Sequence, residues 1–283
     1  MKTIILIACA CLLIMMSSCI VVPTKFTTTI RVMDSLRMDE YEVSVEAWLS
    51  YYSYVLRTEG KAAAVNALPD SNAVRPEVWA YINNPSPDSS SLENPMTQQP
   101  LGFFYDQCSD FIRYDKKHYL RGECPFLYVP VTGISYQQAV DFCEWRTLVA
   151  GRGRISYRLP TETEWKQIVY KGLTDAQKSK RYSDSMNAST CSLYNHRLVE
   201  GCHKSTFYLL NNPSTTRIAS YFPNELGVYD LFGNVSEMVA EKGVSKGGNY
   251  QLYGNKCHID SIQGYSKPEQ WLGFRCVAEE VKK

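Results

Sequence analysis

The chain has 283 residues, 45% of them hydrophobic and 21% charged, with a formal charge of +1. That composition is globular and excludes a disordered or low-complexity polymer, and the absence of any basic stripe or arginine cluster excludes nucleic acid as a partner. The length admits one large domain or two small ones, and 20 tyrosines point to a polar-aromatic surface or core.

Residues 1–18 read as a leader. Lys2 supplies the positive start, residues 4–16 are an apolar run too short for a stable bilayer span, and Ser17-Ser18-Cys19 follow. This is the pattern of a secretory signal peptide. Small residues before Cys19 resemble a bacterial lipobox, in which the cysteine becomes the acylated first residue of the mature protein. An ordinary signal peptide cut near the same place is the alternative. Acyl chains on Cys19 would hold the chain to a membrane, each buried CH₂ adding about 0.8 kcal/mol. Ile20 follows, with no aspartate to signal inner-membrane retention. The expectation is export and anchoring at the outer membrane, on either face. Residues 19–30 then form a tether and residues 31–283 the domain.

Disulfides persist in an exported protein. Of the 10 cysteines, Cys9 and Cys11 leave with the leader and Cys19 carries lipid. Cys108, Cys124, Cys143, Cys191, Cys202, Cys257 and Cys276 remain. Their number is odd, so at least one thiol has no partner within the chain.

Along the domain, Trp48, Tyr51, Tyr52, Val55 and Leu56 recur at helical spacing and predict a first helix near 43–57, stopped by Gly60. Residues 83–100 are rich in Pro, Ser and Asn and read as a surface loop. Ser135 and Gln138 have capping-box spacing and open a second helix that ends at Gly151, with Ala139, Phe142 and Cys143 on its apolar side. Thr161 and Glu164 repeat that spacing for a third, backed by Trp165, Ile168 and Val169. Glu164 therefore reads as a helix cap in preference to a catalytic acid, and Arg158 as the partner of a core carboxylate. Beyond residue 220, frequent glycines separate short apolar runs, which suits short strands and tight turns. The predicted class is α+β, with a few helices, many short strands and much irregular structure.

Several stretches line up, in order, with one family. They are DEYEVSVEAWLSYY at 39–52, PVTGISYQQAVDFCEWR at 130–146, YRLPTETEWKQIVYKG at 157–172, NELGVYDLFGNVSEM at 224–238 followed by KGGNY, and WLGFRCV at 271–277. Together they resemble the formylglycine-generating enzyme, or sulfatase-modifying factor, domain. The resemblance implies a compact, irregular α+β fold related to C-type lectins.

In catalytic members, the two glycines are followed by a serine and then by two cysteines whose thiolates hold Cu(I), a soft ion that selects sulfur. Here Asn249 stands at the serine position and Leu252 at the first cysteine position; only Cys257 remains. Leucine cannot ligate a metal, so the resemblance implies a copper site that does not form in its usual way. His258 is adjacent, but neighbouring residues seldom converge on one ion. His118, His196 and His203 show no metal-ligand spacing. A second departure lies at Ser236 and Met238, where the family carries tryptophans. What the resemblance preserves is the set Asp230, Gly233, Val235 and Glu237, which matches positions that hold calcium in the family; the alternative is that Asp230 and Glu237 cap a turn. It also implies a bridge between Cys143 and Cys276. Cys108 with Cys124 and Cys191 with Cys202 are then the simplest local pairs, leaving Cys257 as the odd thiol.

The functional expectation is a membrane-anchored lipoprotein carrying a non-catalytic structural or binding module, similar to gliding-motility-type lipoproteins, with a protein or glycan partner. The alternative is a divergent oxidase-type enzyme of the same family that uses Cys257 or an unassigned site.

Overall fold

A computed structural model describes residues 28–82, 125–174, 194–197, 214–221 and 223–281. Cys19, Cys108, Cys124, Cys191 and Cys202, together with the predicted 83–100 loop, lie outside these residues.

Two four-stranded sheets and a layer of helices make up the α+β fold. The first sheet has the order β1 (Thr29–Arg31), β2 (Leu36–Asp39), β8 (Val277–Glu280), β3 (Ile155–Arg158) and is antiparallel throughout. The last strand of the domain therefore sits between its beginning and its middle, with Val277 facing both Met38 and Arg158. The second sheet runs β6 (Gln263–Gly264), β5 (Val244–Lys246), β4 (Ser236–Met238), β7 (Leu272–Gly273), with only the β4–β7 pair parallel.

The helices begin where the sequence places their caps. α1 spans Val45–Thr58, with the Ser44 hydroxyl accepting from the Ala47 N–H. α2 (Lys61–Asn66) and α3 (Pro76–Ile82) follow it; neither shows an apolar period long enough to stand out in the sequence. α4 spans Tyr136–Ala150, opens with the Ser135–Gln138 capping box and ends at Gly151. α5 spans Glu162–Lys171 and opens with the Thr161–Glu164 box. Each box satisfies two backbone donors at a helix start and supports the helix by about 1 kcal/mol.

Two apolar clusters hold the layers together. In the first, Trp48 of α1 stacks on Phe142 of α4 with centroids 5.6 Å apart, and Phe274 meets both rings edge-on. All three side chains are buried, and the Trp48 indole donates to the Ala67 carbonyl, so the large ring leaves no polar atom stranded. The second gathers Trp165, Ile168, Phe232, Val239 and Cys257 beneath α5. Near the first cluster, Asp39 and Arg146 form a fully buried ion pair at 2.7 Å. The same Asp39 oxygen accepts the Cys276 N–H, and the guanidinium lies over the Tyr157 ring.

Candidate functional site

The second sheet presents the loop that carries the predicted site. β5 delivers Lys246, Gly247 and Gly248 into a tight path, with φ of +87° and +75° at the two glycines. A Cβ at Gly247 would lie 2.6 Å from the Leu231 carbonyl oxygen, and one at Gly248 would lie 2.6 Å from the Cys257 sulfur. Both positions require glycine for the backbone to pass, irrespective of any chemistry.

The predicted residues of this loop lie close together, and their surroundings are apolar and closed. Cys257 is fully buried within the second cluster, and Leu252 packs against that cluster. Burial pushes the Cys257 thiol up to about 12, against smaller downward effects from backbone hydrogen bonds at Asn249 and Gly233. The group is therefore a protonated thiol at neutral pH. The other described cysteines, Cys143 and Cys276, belong to the first cluster and bring no sulfur to Cys257. Cu(I) needs thiolates converging on it; among the described residues, Cys257 beside Leu252 offers one sulfur and not the pair. His258 Nδ1 accepts the Asp260 N–H at 3.3 Å.

Where the family resemblance implied a serine and aromatic residues, this chain builds a hydrogen-bonded plug. The buried Asn249 amide donates to Ser236 Oγ at 2.9 Å, and Ser236 Oγ donates to Gln263 Oε1 at 3.2 Å. The Gly248 N–H reaches the same amide oxygen, while Gln263 Nε2 donates to Ser261 Oγ. Ser245 Oγ closes the set on the Gln263 carbonyl. Buried polar groups that satisfy one another in this way specify a single loop conformation. Gln263 joins the loop to its neighbouring strand, a role with no signal in local sequence.

The 230–237 segment is organised around Arg275, not around an open cage. Glu237 is buried; one carboxylate oxygen pairs with the Arg275 guanidinium and the other accepts the Trp165 indole N–H at 2.8 Å. Asp230 accepts the Ala219 N–H, and Asn234 donates to the buried Glu42. Positive φ at Asp230, Gly233 and Asn234 turns the chain so that these side chains converge. Hard cations need several free oxygens. Both oxygens of Glu237 are engaged by Arg275 and Trp165, while Asp230 Oδ1 and Glu42 Oε2 are buried without a hydrogen-bond partner among the described residues. Burial, followed by the neighbouring Asp230, raises the Glu42 carboxyl well above the usual range. Glu42 and Arg275 carry this centre, and neither residue stands out in isolation.

Lys246 is a further buried charge beneath the loop. Its ammonium lies 3.4 Å from Glu162 at the start of α5 and 5.9 Å from the Trp165 ring centroid. Burial lowers its pKa, and Glu162 counteracts the effect. On the neighbouring face, Arg158 binds Glu164 through two bonds of 2.8 Å and Glu279 at 2.9 Å. Glu164 Oε2 also accepts the Thr161 N–H. The arginine-glutamate motif at the start of α5 is thus consumed in joining the helix to β8.

Among solved structures, PvdO from Pseudomonas aeruginosa is 16% identical over 87% of this chain and 80% of its own, with a TM-score of 0.46. CarF is 17% identical over 91% and 94%, with a TM-score of 0.47. Treponema denticola variable protein 1 is 15% identical over 89% and 91%, with a TM-score of 0.43. No curated protein matches by sequence. The model of the sulfatase-modifying factor enzyme 1-like domain matches residues 23–280, and with that match the chain belongs to the sulfatase-modifying factor family.

Proposed function

We propose that this chain is an exported lipoprotein, anchored to the outer membrane through Cys19, whose sulfatase-modifying-factor domain serves as a non-catalytic binding module. The observation that carries the reading is the state of Cys257. Its sulfur is buried, protonated and packed with Leu252 in an apolar cluster, while satisfied amides and hydroxyls fill the adjoining space. A nucleophile or metal ligand needs a thiolate and a route for its partner; neither is supported here. The domain keeps a stable frame with surface loops, the arrangement that suits recognition.

The test is a Cu(I) titration of the purified exported chain and of its Cys257→Ser variant, paired with capture of membrane partners from native cells. The module reading expects no tight Cu(I) binding attributable to Cys257 and partner capture that is unchanged in the variant. Tight Cu(I) binding lost on substitution, or conversion of a cysteine peptide to its aldehyde, overturns it.

A further inference from the structure

We infer that a cleft beside the plugged loop binds a neutral saccharide; the inference rests on the reading of the domain as a binding module and supplies its ligand class. The cleft has a volume of about 290 Å³ and is walled by three segments distant in sequence: the turn at 70–73, Gln251, and the turn at 267–271. The volume sits at the small end of ligand sites and suits one compact unit.

Its lining includes one aromatic side chain. Trp271 is partly buried, packs against the first apolar cluster and also lines the cleft. Around it stand planar polar side chains: the amides of Asn72, Gln251 and Gln270 and the carboxylates of Asp70 and Glu269. Gln251 Nε2 is held by Tyr250 Oη and Gln270 Nε2 by the Asn72 carbonyl. The two side-chain oxygens take no hydrogen bond among the described residues, and both accept from O–H groups. A pyranose offers the matching surfaces: hydroxyl groups around its edge and a C–H face for an indole.

Charge narrows the ligand further. Among the described lining residues Lys267 is the only cation and stands beside two carboxylates, so they offer no centre for a phosphate or a polyanion. It offers too little apolar wall for a lipid or an aliphatic ligand. The walls are also fixed before any ligand arrives. The Asp70 N–H donates to the Gly133 carbonyl, and the Gly133 N–H donates to the Glu269 carbonyl. The Asp70 side chain caps the 71–73 turn, and Asn249 Oδ1 accepts the Gln251 N–H. Gly133, with φ of +71°, has no room for a Cβ, which would lie 2.4 Å from Val74. Such preorganisation removes part of the ordering cost of binding.

The experiment uses the full exported chain, with methyl glycosides of glucose, galactose, mannose and N-acetylglucosamine as probes in saturation-transfer NMR and a glycan array for longer chains. At least one probe is expected to bind. Gln251→Ala and Asn72→Ala, both at exposed positions, should each weaken that binding about tenfold without changing thermal unfolding, and Trp271→Phe should retain more binding than Trp271→Ala. The inference is overturned if no saccharide binds, if binding is unchanged in both exposed-site variants, or if raising salt abolishes it, the last being the behaviour of an ionic ligand. Failure of every saccharide, with a membrane partner still captured independently of Cys257, removes this ligand and leaves the module reading standing. Turnover of a cysteine peptide removes the module reading instead.

Discussion

The sulfur of Cys257 and the backbone of Gly248 are in such close approach that a Cβ on residue 248 would lie 2.6 Å from Sγ and 2.8 Å from the Cys257 Cα. The contact locks two segments of the loop together at the point where the sequence pattern of the family would place chemistry. Gly248→Ala adds a methyl group to a closed space at positive φ. The expected loss is about 2–4 kcal/mol, combining overpacking and left-handed strain. Gly153 is the control: its φ is +67°, and nothing lies within 4 Å of the Cβ position. Gly153→Ala should cost only the strain, about 1–2 kcal/mol. Urea unfolding of the two variants checks the difference, and equal losses would refute the steric account.

The same burial sets the reactivity of the thiol. With the Cys257 pKa pushed up to about 12, roughly one molecule in ten thousand carries a thiolate at pH 8. Iodoacetamide labelling of the native protein should leave Cys257 untouched for hours, and denaturant should release it to full labelling within minutes. Peptide mass spectrometry reads the outcome. Rapid native labelling at Cys257 would mean an accessible thiolate and would reopen the enzymatic reading.

Much of this architecture was legible in the sequence, because its signals are local. Ser135 with Gln138 and Thr161 with Glu164 fix helix starts through bonds that span three residues, and spacing alone reveals them. Glu164 was readable as a cap for the same reason. The pairing of β8 between β2 and β3 was not readable, because strands of three or four residues carry too little alternation to declare a partner. Short α2 and α3 were missed on similar grounds. At the site, the sequence itself places Leu252 where the family likeness implies a cysteine. The plug built by Ser236, Asn249 and Gln263 could not be read there, since its bonds join residues 13 and 15 positions apart or more. Neither could Arg275 be seen as the partner of Glu237, 38 residues away.

That ion pair is expected to dominate the stability of the second sheet. Arg275 and Glu237 are both buried, and Trp165 completes the coordination of the carboxylate. Removing one member strands the other charge. Arg275→Met should destabilise the domain by about 3–5 kcal/mol, and the double variant Arg275→Met with Glu237→Gln should recover part of that loss. Thermal unfolding of the single and double variants measures the coupling. Added calcium is the check on the donor set that the family likeness implied: with Glu237 held by Arg275 and Trp165, the unfolding temperature of the wild-type chain should not change. A calcium-dependent rise would show that a cation competes with Arg275.

Acid stability should report the Arg158–Glu164 contact. Hydrogen bonding from Arg158 lowers the Glu164 pKa below its ordinary value, with the Thr161 N–H assisting against burial. A carboxylate depressed in the folded state contributes stability that is present above its unfolded pKa, near 4.3–4.5. It is lost as pH falls through the lower folded value. Glu164→Gln should therefore lower the unfolding temperature at pH 7 and flatten the acid limb below about pH 4.5. Arg158 is one-third exposed, so solvent screens the pair and the change at pH 7 should be modest, about 1 kcal/mol with the cap included. An acid limb identical to that of wild type would exclude the contact.

The last expectation concerns Cys143 and Cys276, whose sulfurs lie 3.2 Å apart in the first apolar cluster as unbonded thiols. A disulfide requires about 2.05 Å, so closing the bond asks for a shift of only about 1 Å between side chains already facing each other. On the proposed reading of the chain as an exported lipoprotein, the pair would meet oxidants that a cytosolic protein does not, and the bond is expected in protein recovered from the cell envelope. The two positions are 133 residues apart. In the chain-entropy model, a bridge closing a loop of that size stabilises by about 4–5 kcal/mol. Non-reducing peptide mapping of the envelope-derived protein should yield the cross-linked Cys143 and Cys276 peptides, and Cys143→Ala should unfold at a lower temperature. Under reducing conditions, the gap between variant and wild type should narrow to the cost of the lost sulfur packing. Recovery of both cysteines as free thiols from oxidised, folded protein would show that the apolar cluster shields the pair from oxidation, and would detach the stability of the α4–β8 junction from the redox state of the compartment.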